Sequence, residues 1–294
     1  MKILILGKDG FIGRNLSEYF RDKGYDVVAL GHQELDLLDE KSICEYLKRN
    51  YYDVIFDAAV YNPRTAKNGV DNKEIEYNLR MFLALEKCHT KYGKLIYFGS
   101  GAEYDKSQDM KQVHETDIEK YHLPKYDYGL YKYVIHRLIE KSSNIYNFRV
   151  FGLFGPHENW KKAFISGACC KAIKDLPITI RRNVFFDYLY VEDFCKMVEI
   201  LISRDLKYHE YNLVSGRRVD LMTLAKTVLK ASGKNLPIYV CEEGFGKEYS
   251  ASNARVMQEL GEFEYEDIEN SISKLYSWYE EHENMIDMCS LLYQ

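Results

Sequence analysis

No apolar run in this 294-residue sequence approaches the roughly 18 residues that a membrane-crossing helix requires. The chain also has no charged leader followed by an apolar stretch and a cleavage site. It opens directly on a strand-like run, Lys2-Ile-Leu-Ile-Leu6, so a cytoplasmic protein with no membrane partner is expected. Basic residues are not in excess: 40 Lys and Arg stand against 45 Asp and Glu, a net charge of −5. They form no stripe, which argues against a nucleic-acid partner. Two short pairs, Arg181-Arg182 and Arg217-Arg218, suit a single anionic ligand better than a duplex. The seven cysteines (44, 88, 169, 170, 195, 241, 289) include no C-x-x-C spacing, so free packing thiols and no metal are expected. No internal repeat or low-complexity linker is visible. With 46% hydrophobic and 29% charged residues, the chain reads as globular, one large domain or two intimate ones.

What the sequence does have begins at its N-terminus. The first strand runs into Gly7-Lys-Asp-Gly-Phe-Ile-Gly13, and a helix carrying Leu16, Tyr19 and Phe20 follows. Strand, glycine-rich turn and helix together aim helix N-terminal amides at a phosphate. Gly7 permits the tight turn, Gly10 lets backbone approach a pyrophosphate, and Gly13 lets helix and strand pack closely. A second strand, 25–30, ends in Gly31-His32-Gln33. A carboxylate there would hold the ribose 2′-hydroxyl of NAD. None is present, and His32 can accept a 2′-phosphate, so NADP is favoured and NAD remains possible. A helix is expected over about 40–50, a third strand over 53–59, a long helix over roughly 73–91 and a fourth strand over 94–98. The polar stretch 105–125 reads as a long loop.

The fourth strand ends in Gly99-Ser100, off the carboxyl end where chemistry sits in a doubly wound sheet. About 28 residues on, Leu130, Val134 and Leu138 recur at helical spacing, which predicts an amphipathic helix. Tyr128 and Lys132, four apart, fall on one face of it. An ammonium beside a phenol favours phenolate and makes a general acid/base. Tyr-x-x-x-Lys also occurs at Tyr19–Lys23 and Tyr121–Lys125. The second of these holds Pro124, which a helix interior tolerates badly, and the first lies in the helix after the glycine loop.

Read together, these segments resemble the extended short-chain dehydrogenase/reductase family, the NAD-dependent epimerase/dehydratases, in a nucleotide-sugar reductase branch similar to GDP-fucose synthase. Gly7-x-x-Gly10-x-x-Gly13 matches the phosphate loop, Asp36-Leu37 the adenine contact, Ala58-Ala59 the third-strand motif, and Ser100, Tyr128 and Lys132 the catalytic triad. Residues 151–156 resemble the segment beside the nicotinamide, 211–216 the returning strand, and 252–261 with Trp278-Tyr279 the C-terminal signature. Phe186-Asp-Tyr-Leu-Tyr-Val-Glu-Asp193 resembles R-D-F-x-Y-V-D-D with its arginine replaced by Phe186.

The resemblance implies an α/β fold, a Rossmann-type doubly wound parallel sheet with a smaller C-terminal substrate-binding lobe. Residues 1–156 would bind the cofactor, 184–214 would return partly to that domain, and 157–294 would mainly bind substrate. It implies cofactor contacts from Gly7, Gly10, Phe11, Ile12, Gly13, His32, Asp36, Leu37, Ala58, Ala59, Tyr128 and Lys132. It further implies a nucleotide-diphosphate sugar held by Ser100 and Tyr128, and a homodimer. With Phe186 in the arginine's place, Arg181, Arg182 or Arg217 would hold the diphosphate.

The departures narrow the activity. Dehydratases of the family carry an Asp-Glu pair directly after the triad Ser/Thr; here Gly101-Ala102 stands there, and Glu103, one position late, is expected to point elsewhere. The positions where GDP-fucose synthase keeps an epimerising cysteine and histidine hold Ala102 and Ser166, with His157 and Glu158 as near substitutes. The reading is reduction of a 4-keto nucleotide-sugar. The alternatives are a 4-epimerase with tightly held NAD and a non-catalytic NAD(P)-sensing protein.

Overall fold

A computed structural model describes residues 1–62 and 72–292. The chain begins with β1 (Lys2–Leu6), α1 (Phe11–Asp22), β2 (Asp26–Leu30), α2 (Glu40–Arg49), β3 (Val54–Asp57), α3 (Glu74–Glu86) and β4 (Lys94–Ser100). After a 3-10 turn at Gly101–Tyr104 come β5 (Met110–Val113), α4 (Asp127–Ile139), β6 (Ile145–Val150), β7 (Gly152–Phe154), α5 (Phe164–Ile173), β8 (Ile178–Asn183), β9 (Phe185–Tyr190) and α6 (Val191–Ile202). It continues through β10 (Glu210–Leu213), β11 (Arg218–Asp220), α7 (Leu221–Ser232), β12 (Ile238–Phe245), β13 (Tyr249–Ala251), α8 (Ala254–Leu260), α9 (Ile268–Glu281) and α10 (Met288–Leu292). None of the described helices is long and apolar enough to cross a membrane.

Two compact units result. The first comprises Met1–Gln108, His114–Val150 and Val198–Asn212. Its six-stranded sheet has the order β10-β6-β4-β3-β1-β2, and the pairs β1–β2, β1–β3, β3–β4 and β4–β6 are all parallel. The helices between successive strands make this the Rossmann-type α/β sheet that the sequence implies. A strand covered on both faces reads as a continuous apolar run, and Ile3, Leu4 and Ile5 of β1 are fully buried. One core cluster joins Leu4, Leu6, Ile43, Leu47, Ile55, Phe82 and Leu85 with Tyr131, Ile135 and Ile139 of α4. From β1 the chain builds β2 on one side and β3 on the other. That reversal of direction opens a crevice above the strand ends.

Two local expectations need correction. The helix predicted over roughly 73–91 stops at Glu86, and a 3-10 turn covers His89–Lys91. The Cys88 N–H bonds the Leu85 carbonyl at 3.0 Å, a tight i to i+3 closure that ends the α-helical ladder. The stretch 105–125, expected as plain loop, contains β5, whose Met110 and Val113 register with Tyr249 and Ala251 of β13.

The second unit comprises Asp109–Val113, Phe151–Met197 and residues from Leu213 on. Its sheet runs β11-β9-β13-β5, with β7 also on β9. β8 and β12 form a separate parallel ribbon. Helices α5, α7 and α9 pack on one another. Asp220 caps α7 by accepting from Thr223 N–H (3.2 Å), and Gly233 closes that helix in the left-handed region.

Candidate active site

The crevice above β1, β2 and β3 is a cleft of about 900 Å³ lined by Gly7, Gly10, Phe11, Ile12, His32, Asp36, Leu37, Ala58 and Ala59 among others. Every one of these is expected at a dinucleotide site from sequence, and the fold gathers them around one cleft. Two glycines are required by space. Gly7 has φ +82°, and a Cβ there would lie 2.7 Å from the Ala58 carbonyl oxygen. A Cβ on Gly13 would fall on the Gly7 carbonyl oxygen. A side chain at either position would collide with backbone, so the turn packs directly against Ala58-Ala59 after β3 and against the start of α1. Gly10 caps α1, whose first turn carries no acidic residue, leaving its amide end attractive to a phosphate. The donor set and the open cradle fit a dinucleotide.

The mouth of the cleft holds a feature the sequence did not show. Gly31-His32-Gln33 contains no acid, yet Glu34 turns back, accepts the Gly31 N–H at 2.9 Å and pairs with the Lys8 ammonium. Asp9 also faces Gly31, its carboxylate 2.5 Å from where a Cβ would sit. His32 is 79% exposed, with Nδ1 3.6 Å from Asp36. The mouth thus carries both signs of charge. A hydrogen bond made by Glu34, four residues past the end of β2, has no signature in the strand-end residues themselves.

The other candidate residues come from β4 and α4 in the same unit. Ser100 ends β4 and caps the following turn, its Oγ accepting from Ala102 N–H at 3.2 Å. α4 spans Asp127–Ile139 and carries Tyr128 and Lys132 one turn apart. The turn and the helix can touch because Gly129 lacks a side chain: a Cβ there would lie 2.6 Å from the Ala102 carbonyl oxygen. Tyr128 is 38% exposed whereas Lys132 is 3% exposed, so the tyrosine stands at the surface and the lysine is largely covered by its neighbours. Lys132 Nζ donates to Phe98 O at 2.6 Å and lies 4.3 Å from the Tyr97 ring centre and 5.9 Å from that of Tyr128. Burial pulls the Lys132 pKa down, while the carboxylates of Asp57 and Glu103 raise it. Lys106, on the loop after the turn, stands within electrostatic reach of Tyr128.

Glu103 turns its carboxylate into the protein interior, toward Arg149 and Asn147. It is buried, accepts the Ser100 N–H at 2.9 Å and receives Arg149 Nε at 2.5 Å. Arg149 Nη1 also donates to Tyr104 Oη (3.2 Å) and Asn212 Oδ1 (3.3 Å), and Nη2 contacts His136 Nδ1 (3.0 Å) and Glu210. Burial pushes Glu103 up and Arg149 pulls it back. This network braces the backbone of Ser100 from behind β4. The tyrosines of the other two Tyr-x-x-x-Lys spacings serve different ends: Tyr19 donates to Glu199 at 2.6 Å, and Tyr121 packs edge-on against Tyr104.

The remaining candidates lie in the second unit. Arg181 is 89% exposed and shares Glu242 with Arg182. Arg217 borders a cavity of about 130 Å³ with Tyr188, Asp193, Ser215 and Tyr265. Phe186 sits among aromatics, 5.5 Å from both Tyr188 and Tyr249 by ring centres. Ser166 is fully buried and its hydroxyl bonds Glu158 at 2.5 Å. Burial raises the Glu158 pKa to about 8. Among the described residues, no group of three or more His, Cys, Asp or Glu is placed to hold a metal.

Comparison with known proteins agrees with this geometry. A curated relative, GDP-L-colitose synthase of Yersinia pseudotuberculosis, is 23% identical over 97% of this chain and 99% of its own. The solved GDP-mannoheptose C4 reductase of Campylobacter jejuni, with NADP bound, superposes with a TM-score of 0.80 at 18% identity, covering 95% of this chain and 98% of the other. UDP-glucose 4-epimerase of Thermotoga maritima, with UDP-glucose, gives a TM-score of 0.79 at 19% identity over 96% of this chain and all of the other (100%). The NAD dependent epimerase/dehydratase family model matches residues 3–213, from the first strand through the glycine loop, Ser100 and α4 to β10, and the chain therefore belongs to that family of extended short-chain dehydrogenase/reductases.

Proposed function

We propose that this chain is an NAD(P)H-dependent reductase of a 4-keto nucleotide-sugar. The observation that carries this reading is the placement of an exposed tyrosine, Tyr128, beside the buried Lys132 ammonium, on the helix that packs against the turn after Ser100. The relatives whose names specify reduction or synthesis of a GDP-sugar support the substrate class. The dinucleotide would be held by the backbone of Gly7, Gly10 and Gly13, by Phe11 and Ile12 at the start of α1, by Asp36-Leu37 and by Ala58-Ala59, all lining or shaping the cleft. NADP is the favoured form and NAD is possible.

Bound there, a reduced nicotinamide supplies hydride to the carbonyl carbon. The protein does the rest. Tyr128 gives a proton to the developing oxyanion, and Ser100 donates a hydrogen bond to the same oxygen. Lys132 stabilises the phenolate left behind and holds ribose hydroxyls. Glu103 and Arg149 keep the Ser100 backbone in place. Arg181, Arg182 or Arg217 would hold the diphosphate. The reading of reduction without epimerisation rests on Ala102, which has no side-chain proton to exchange, and on Ser166, whose hydroxyl is committed to Glu158; it requires that His157 and Glu158 not take the missing roles. Following NADPH absorbance while 4-keto sugars linked to GDP, UDP, CDP and dTDP are offered tests the reading. Consumption with one of them is expected, and consumption with none defeats it.

A further inference from the structure

Lys132 is a charge buried in the first unit, and a buried ammonium needs a counter-ion. Two carboxylates act on it, those of Asp57 and Glu103. Glu103 is already engaged: its oxygens take Arg149 Nε at 2.5 Å, Asn147 Nδ2 at 3.1 Å and the Ser100 N–H at 2.9 Å. Asp57 is not. It ends β3 and is 4% exposed. Its one hydrogen bond among the described residues is a long 3.4 Å contact from the Ala59 N–H.

The ladder brings Asp57 to the same stretch of β4 that holds Lys132. Asp57 registers with Tyr97 across the β3–β4 pair, and the Lys132 ammonium lies 4.3 Å from the Tyr97 ring centre. The next residue of β4, Phe98, accepts the same ammonium at 2.6 Å. The other ionisable groups around Asp57 are phenols, Tyr92, Tyr97 and Tyr131. All three have pKa values raised by burial and so are neutral near pH 7. Lys132 is the cation that acts on Asp57.

We propose that Asp57 is a positioning residue, the counter-ion that keeps Lys132 charged beside Tyr128 and thereby sets the upper pH limit of cofactor binding and reduction. Removing the Asp57 charge leaves Lys132 with burial and no free partner, so it surrenders its proton at lower pH. A neutral Lys132 has one donor fewer for ribose hydroxyls and no charge for the phenolate. The inference rests on the cofactor reading above and names the part of the site that tunes it.

The test is NADPH binding, read by its fluorescence from pH 6 to about pH 10, a span chosen to bracket a buried lysine, in four proteins: wild type, Asp57→Asn, Lys132→Met and the double variant. Wild type is expected to lose affinity above an alkaline break. In Asp57→Asn that break moves down by about one pH unit or more, the shift expected for losing a nearby opposite charge. In Lys132→Met the break is absent, and adding Asp57→Asn changes nothing further. A break in Asp57→Asn that superimposes on wild type, or an equal displacement by Asp57→Asn in the Lys132→Met background, overturns the proposal. Thermal unfolding is recorded for each protein. If Asp57→Asn alone unfolds and the double variant does not, the unpaired ammonium is the cause and the proposal stands. If both unfold, Asp57 is structural and the proposal falls. A wild type that binds neither NADPH nor NADH defeats the cofactor reading instead, so the two failures are distinguishable.

Discussion

The Lys132 ammonium sits 5.9 Å from the centre of the Tyr128 ring, on the same helix one turn further along, and is held there by the Phe98 carbonyl at the end of the neighbouring strand. Helix α4 sets the spacing of the pair and strand β4 sets its direction. Tyr128→Phe removes the proposed proton donor and little else, so kcat is expected to fall by several orders of magnitude while NADPH still binds. Ser100→Ala removes one donor to the oxyanion and is expected to lower kcat by about 10²-fold or more. Steady-state kinetics with a fluorescence titration of cofactor separates the two effects. Wild-type turnover in Tyr128→Phe would contradict the assignment.

Cofactor choice turns on the mixed charges at the cleft mouth. Glu34 holds Lys8 and the Gly31 amide, so Glu34→Gln weakens a repulsion toward a 2′-phosphate and loosens the hold on Lys8. NADPH is expected to bind more tightly to that variant relative to NADH. His32→Asp is expected to shift preference the other way, since a carboxylate repels a 2′-phosphate and accepts from a 2′-hydroxyl. The ratio of the two dissociation constants in each variant checks both directions.

The Glu103–Arg149 pair is completely buried on both sides. Breaking such a pair from one side strands the other charge, at a cost of about 3–5 kcal/mol. Arg149→Met is therefore expected to lower the urea midpoint strongly, and Glu103→Gln combined with Arg149→Met less than the sum of the two single changes. Additive losses would mean that the two side chains act independently.

Histidine 136 provides a pH test of the same network. Burial, and then the Arg149 charge, drive its pKa down to about 3, below the unfolded value near 6.5. The folded protein thus binds fewer protons than the unfolded chain between these limits. This stabilising contribution is complete above about pH 6.5 and is lost as the pH falls toward 3. Stability of the wild type is expected to decline across that window, and His136→Asn is expected to flatten the decline. Denaturant unfolding at a series of pH values measures it, and equal slopes in the two proteins would refute the assignment.

Much of this arrangement is legible in the sequence because its signals are local. The apolar run of β1, the glycine turn after it and the helical register of Tyr128 with Lys132 each fit within one element and its flank, where strand burial and helix period act directly. What escapes is set by neighbours far along the chain. Glu103 meets Arg149 because β4 and β6 are adjacent in the sheet, a pairing that no spacing encodes. Strand β5 was read as loop because its partner, β13, lies some 140 residues away. Asp57 looks like any strand-end aspartate until β4 pairs it with Tyr97, whose ring the Lys132 ammonium approaches.

The most direct test of the central claim follows hydride to its destination. NADPH carrying deuterium at the transferred position of its nicotinamide is incubated with the enzyme and 4-keto nucleotide-sugars, and the product is examined by NMR. The account predicts oxidation of one cofactor per product, with deuterium at C4 of the sugar, and neither outcome in Tyr128→Phe. Sugar product without label at C4, or a cofactor left unchanged while the sugar is transformed, would contradict it.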